Sequence, residues 1–131
     1  MKEIVLIKSI YKKRKQSLES EVNKLKSAIS DCEKEIRYLL TLLDNNKLEK
    51  ANYIKDYYAN LASGVIITRQ LLANFKQHKK KFDDEHEQMI IKHEKSQSNL
   101  SSLVQELEQI NVQLREVNIK QEKFDYVSEI I

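Results

Sequence analysis

The chain has no proline and one glycine, Gly64, in 131 residues. Sheets joined by tight turns draw on both residue types, so their near absence points away from β-rich architectures. A phosphate-cradling loop needs clustered glycines whose amides can approach an anion closely, and a single glycine cannot form one. Cysteine is equally scarce. Cys32 stands alone, so no internal disulfide can form, which fits a reducing cytoplasm.

Long apolar runs are missing too. No segment approaches the ~18 uninterrupted apolar residues that a membrane span requires. MKEIVLIKSIYKKRK, residues 1–15, carries a short apolar run, but Glu3 and Lys8 interrupt it and no small-residue cleavage site follows. It reads as neither an inserted segment nor a signal peptide. A strong excess of one charge is also lacking, since 23 basic residues face 20 acidic ones for a formal charge of +3. Nucleic-acid binders concentrate far more basic charge on one face. The expectation is a cytoplasmic protein with no nucleic acid and no direct membrane insertion.

What the chain does have is charge of both signs, 33% of all residues, together with abundant Leu, Ile, Glu, Gln and Lys. Long helices that bury a narrow stripe and leave the rest solvated have this composition. The length suits one domain.

From residue 18 the apolar positions run Leu18, Val22, Leu25, Ile29, Cys32, Ile36, Leu39 and Leu43. The steps alternate four and three, the 3.5-residue period of a coiled-coil seam. Cys32 falls on this seam as a small core residue, not a nucleophile. After Leu43 the next seam positions would be Asn46 and Lys50, and DNNKLEK (residues 44–50) holds residues that favour turns. A second register runs through Ala51, Ile54, Tyr58, Leu61, Val65, Thr68, Leu72 and Phe75. It resumes at Phe82, His86, Met89 and His93 and continues from Leu100 to Leu114, Val117 and Phe124. It crosses Gly64 without a shift, which places Gly64 inside a helix.

These patterns predict an all-α fold, a two-helix antiparallel coiled-coil hairpin whose second helix is longer than the first. Helix 1 would span about 2–44, the turn about 44–52 and helix 2 about 51–127, as one domain over 1–131. The second helix would then overhang by about 30 residues, roughly 45 Å at 1.5 Å per residue. Leu100 to Phe124 would lack a partner in its own chain and would need another protein, or a second copy, to cover it. The alternative puts the turn at Asn60 to Gly64, with nearly equal arms and no overhang.

Chemistry-bearing motifs are absent. His78, His86 and His93 are spaced eight and seven apart, whereas metal pairs on one helix use three or four, so no metal and no cofactor are expected. Tyr53, Tyr57 and Tyr58 are open to two readings, partner contacts or packing near the turn. YKKRK at 11–15 would attract acidic partners or serve as a solvated helix face. The chain is expected not to be an enzyme.

A family likeness sits in GVIITRQLLANFKQHKKKF, residues 64–82, where Ile67, Leu71, Asn74 and His78 step by four, three and four. KQEKFDYVSEII, residues 120–131, adds a charged stretch followed by an aromatic, acidic and apolar residues. With the hairpin pattern and the basic N-terminal segment, the chain resembles the small coiled-coil stalk proteins of type III secretion, the FliJ/YscO type of flagellar and injectisome export. In that family the export-gate contact is an apolar residue, Leu four later, a small residue three later and His four after that. Asn74 departs from the small apolar residue typical of flagellar members.

The resemblance implies a non-enzymatic central stalk that inserts into the hexameric secretion ATPase and couples it to the membrane export gate. Secretion chaperones are further partners it implies. It assigns Ile67, Leu71, Asn74 and His78 to the gate's cytoplasmic domain. It assigns the two ends of the chain to the ATPase, here Lys12, Lys13, Arg14 and Lys15 with the apolar stripe Leu114, Val117 and Phe124. Two other readings compete. Ile67 and Leu71 can belong to a wide core stripe, and the whole chain can be a self-associating scaffold that pairs through Leu100 to Phe124.

Overall fold

The computed structural model describes residues 2–130. It is all-α, with α1 spanning Lys2–Ala62 (61 residues) and α2 spanning Arg69–Ile130 (62 residues). The two pack as an antiparallel hairpin. Two compact units divide the described residues. A terminal unit draws on residues 2–33 and 99–130, and a loop unit comprises Lys34–Ser98.

The turn lies at residues 63–68, not at 44–52, so the second of the two turn positions is the one adopted. The arms differ by one residue and the expected overhang does not exist. DNNKLEK is helical throughout. The seam continues through it, because Asn46 and Lys50 occupy their heptad positions and find partners on α2. Asn46 is only 4% exposed. Its Nδ2 donates to Glu85 Oε2 at 3.5 Å, and Lys50 pairs with Asp83. Polar residues at seam positions weaken a coiled coil but fix its register, and here they look like a break only when the partner helix is out of sight. The hydrogen bond from Lys50 holds the Asp83 carboxyl below the usual carboxylate value. The support from that pair is therefore present at neutral pH and lost as pH falls through the lowered pKa.

Gly64 is not inside a helix; it ends one. Its φ is +91°, a left-handed conformation that side chains with a Cβ disfavour. Val65 N–H donates to Asn60 O at 3.2 Å, and Gly64 N–H donates to Leu61 O at 3.2 Å. This is the paired bonding of a Schellman cap, which satisfies carbonyls that the last turn would leave open. Thr68 opens α2. Its Oγ1 accepts from Leu71 N–H at 3.1 Å, an N-cap bond. Thr68 and Val65 are thus loop residues, and the register that crosses them is a coincidence of spacing.

In the loop unit the seam buries Leu39, Leu43, Asn46, Phe75 and Ser96, with Tyr53, Tyr57, Phe82, His86, Met89 and His93 half-buried. In the terminal unit it buries Leu18, Val22, Cys32 and Val117. Tyr11 meets Phe124 there at 5.9 Å between ring centroids, and Lys8 reaches Asp125 at 3.9 Å. Leu25 and Ile110 line one cleft. Along the stripe from Leu100 to Phe124, Val117 is buried and Leu100, Leu103, Leu107, Ile110, Leu114 and Phe124 are half-buried.

His93 is a weak point of the seam, because its Nε2 is buried without a hydrogen-bond partner. Such an atom forfeits its water and gains nothing in return. His93→Leu should raise stability by about 1 kcal/mol, read as a higher urea midpoint with an unchanged slope.

Candidate functional site

The loop unit carries an open groove of about 460 Å³ along one side of the helix pair. Tyr53, Asp56, Tyr57, Asn60 and Leu61 of α1 line it, with Val65 and Ile67 of the loop and Leu71, Asn74 and His78 of α2. All four residues of the 67–78 pattern thus fall on one surface. Ile67 lies just before the N-cap, and Leu71, Asn74 and His78 follow at helical spacing on one face of α2.

The floor is aromatic. Phe75, buried in the seam, stacks on Tyr57 at 3.8 Å and on Tyr53 at 5.8 Å between ring centroids. Tyr53 in turn stacks on His78 at 5.2 Å. Tyr53 and Tyr57 therefore follow the packing reading, since they stack on Phe75, and they also line the groove. Tyr58 is mostly exposed and meets only the edge of Tyr57 among described rings.

His78 is held by its own helix. Nδ1 lies 2.9 Å from Asn74 O, and a carbonyl can only accept, so Nδ1 carries the proton. In the neutral ring Nε2 is then left with a lone pair. Asp56 is the one formally charged residue lining the groove, and it makes no ion pair among the described residues.

Leu71 is 43% exposed and Leu72 40%. The expectation that Leu72 sits buried on the internal seam while Leu71 faces out does not hold, because the two are exposed to nearly the same degree in the first turn of α2. Phe75 is the first α2 residue that is truly seam. The loop adds Ile66, 82% exposed, beside Val65 and Ile67.

The residues assigned to the ATPase divide. Lys12, Lys13 and Arg14 are exposed, and Lys15 is half-buried. Val117 is 2% exposed, with Leu114 and Phe124 half-buried. With Val117 closed to solvent and Phe124 packed on Tyr11 of α1, these three do not form the free apolar stripe that the overhang would have supplied. Other apolar residues of the same unit are exposed instead, namely Val5, Leu6 and Ile10 on α1 and Tyr126, Val127 and Ile130 on α2. Their signal was in the sequence. They fall off the four-and-three spacing that leads back from Leu18 to Tyr11 and Ile4 on α1 and on from Val117 to Phe124 on α2, so no seam accounts for them.

No cluster of three His, Cys, Asp or Glu suited to a metal ion occurs among the described residues. No helix among them is long and apolar enough to cross a membrane. No protein-family model, no curated protein and no solved structure matches the chain.

Proposed function

We propose that the protein is a non-enzymatic central stalk of a type III secretion system, acting in the cytoplasm at the base of the apparatus. It engages the hexameric secretion ATPase through its terminal unit and the cytoplasmic domain of the export gate through its loop unit. One observation carries this reading. Ile67, Leu71, Asn74 and His78, the residues at the family's gate-contact spacing, line a single exposed groove while a separate set of residues fills the seam.

The exposed apolar wall suits docking. Ile67 and Leu71 can lose their remaining water to a partner without disturbing the hairpin, and Tyr53 and Tyr57 offer rigid rings that are rich in contact area. At the other surface Lys12, Lys13 and Arg14 supply exposed positive charge that would speed encounter with an acidic patch on the ring. The apolar share of that contact passes from the buried stripe to Val5, Leu6, Ile10, Tyr126, Val127 and Ile130. A self-associating scaffold would have less to pair through at Leu100 to Phe124, because Val117 is closed to solvent and the leucines of the stripe are half-buried. Handling of secretion chaperones remains compatible with either exposed surface.

The test is Leu71→Ala in a secreting strain. Secretion and binding to the gate domain should fall sharply, while helicity and stimulation of the ATPase stay near the parent. Normal secretion by a stably expressed Leu71→Ala protein sinks the reading.

A further inference from the structure

We propose that the groove of the loop unit recognises a peptide segment bearing an arginine next to an aliphatic side chain. This deepens the gate-docking reading and rests on the same groove. Three observations converge on a cationic, donor-rich group. The groove holds one formal charge, the carboxylate of Asp56, and that charge has no ion-pair partner among the described residues. His78 gives its Nδ1 proton to Asn74 O at 2.9 Å, so Nε2 is the ring nitrogen left to meet a ligand, as an acceptor when it carries no proton. Tyr53 and Tyr57 put aromatic rings on the lining beside that carboxylate, and aromatic rings attract cations and pack against flat guanidinium groups.

Arginine meets all three demands at once. Its planar fork can donate to a carboxylate while its face lies on an aromatic ring, which a lysine ammonium cannot do. The aliphatic neighbour follows from the rest of the lining, since Ile67 and Leu71 provide an apolar wall with no polar demand of its own. Asn60 and Asn74, also on the lining, can each donate and accept, which suits the main chain of a bound segment. Opposing charge exists nearby. Lys80 and Lys81 line a neighbouring depression, but Asp84 and Glu85 line it with them, so that depression offers no net positive field to draw an acidic segment instead.

The probe is a phage-displayed library of random 12-residue peptides, selected on the full chain and counter-selected on its Leu71→Ala variant. Enriched peptides should carry arginine within one helical turn of Leu, Ile or Phe. Asp56→Asn should weaken a selected peptide about tenfold in fluorescence polarisation, the loss expected for one charge-assisted hydrogen bond. Selection on Asp56→Lys, an exposed position whose folding is checked by circular dichroism, should turn the enrichment to Asp and Glu. Enrichment of acidic peptides by the parent, or none beyond the Leu71→Ala background, overturns the proposal. Binding of the gate's cytoplasmic domain is measured in parallel. If that domain needs Leu71 but ignores Asp56→Lys, gate docking stands and the arginine assignment falls. If peptides behave as expected while the domain binds Leu71→Ala normally, the assignment stands and gate docking falls.

Discussion

Val117→Asp is expected to unfold the pairing of α1 and α2 in the terminal unit. Val117 is the largest side chain that is essentially closed to solvent among the described residues. A carboxylate at a position 2% exposed loses nearly all of its water, and burying a charge costs several kcal/mol even after the structure relaxes. Circular dichroism should show a marked fall in the thermal midpoint, and protease cleavage should extend into α1 between Lys12 and Lys26. Val117→Ile, which keeps the surface apolar, should be tolerated within about 1.5 kcal/mol. ATPase stimulation should be lost with folding in the aspartate variant and kept in the isoleucine one. Tyr126→Ala and Ile130→Ala should behave differently, lowering stimulation with the melting curve little changed, because both side chains are exposed. A folded Val117→Asp protein that merely fails to bind the ring would restore Val117 to a docking surface and remove it from the seam.

The helical class and most seam positions were legible because the heptad period reports burial directly. Leu18, Val22, Cys32, Leu39 and Leu43 are buried as the first register requires. The turn was legible only as the second of two positions, for two physical reasons. Asn46 and Lys50 occupy seam positions whose cost is offset by Glu85 and Asp83 on the other helix, and a partner about 35 residues away in sequence leaves no local trace. At Gly64 the opposite error arises. Val65, Ile66 and Ile67 are apolar yet exposed, so they extend a register across a loop. The discriminating feature was Gly64 itself, the chain's one residue suited to a left-handed helix cap, followed four residues later by Thr68 as an N-cap.

The groove was half legible. The spacing of Ile67, Leu71, Asn74 and His78 placed one wall, since positions three and four apart share a helix face. The other wall depends on which part of α1 lies opposite, and that follows from the turn. With a turn at 44–52, Tyr53 and Tyr57 would start the second helix and could not face Leu71 across a groove. Moving the turn to 63–68 brings both rings to α2, where they stack around Phe75 and His78.

Phe75→Ala gives the sharpest separation of packing from docking. Phe75 is buried and stacks on Tyr57 and Tyr53, so truncation removes a large apolar ring and two aromatic contacts. Phe→Ala changes in cores cost about 3 kcal/mol or more, and the empty space left beneath the tyrosines adds to the loss. The urea midpoint of the loop unit should drop accordingly, and Tyr53 and Tyr57 should lose their fixed near-ultraviolet dichroism. Leu71→Ala starts from a side chain already 43% exposed, so its cost should stay near ~1 kcal/mol. Secretion should nevertheless fail in both. In Phe75→Ala the failure follows the loss of groove shape and should be partly rescued by Phe75→Leu, which refills the seam. In Leu71→Ala the fold survives and no stabilising second change, such as His93→Leu, should restore export. Should His93→Leu rescue Leu71→Ala, or should the two alanine variants lose equal stability, Leu71 belongs to the core and the groove has no claim on a partner.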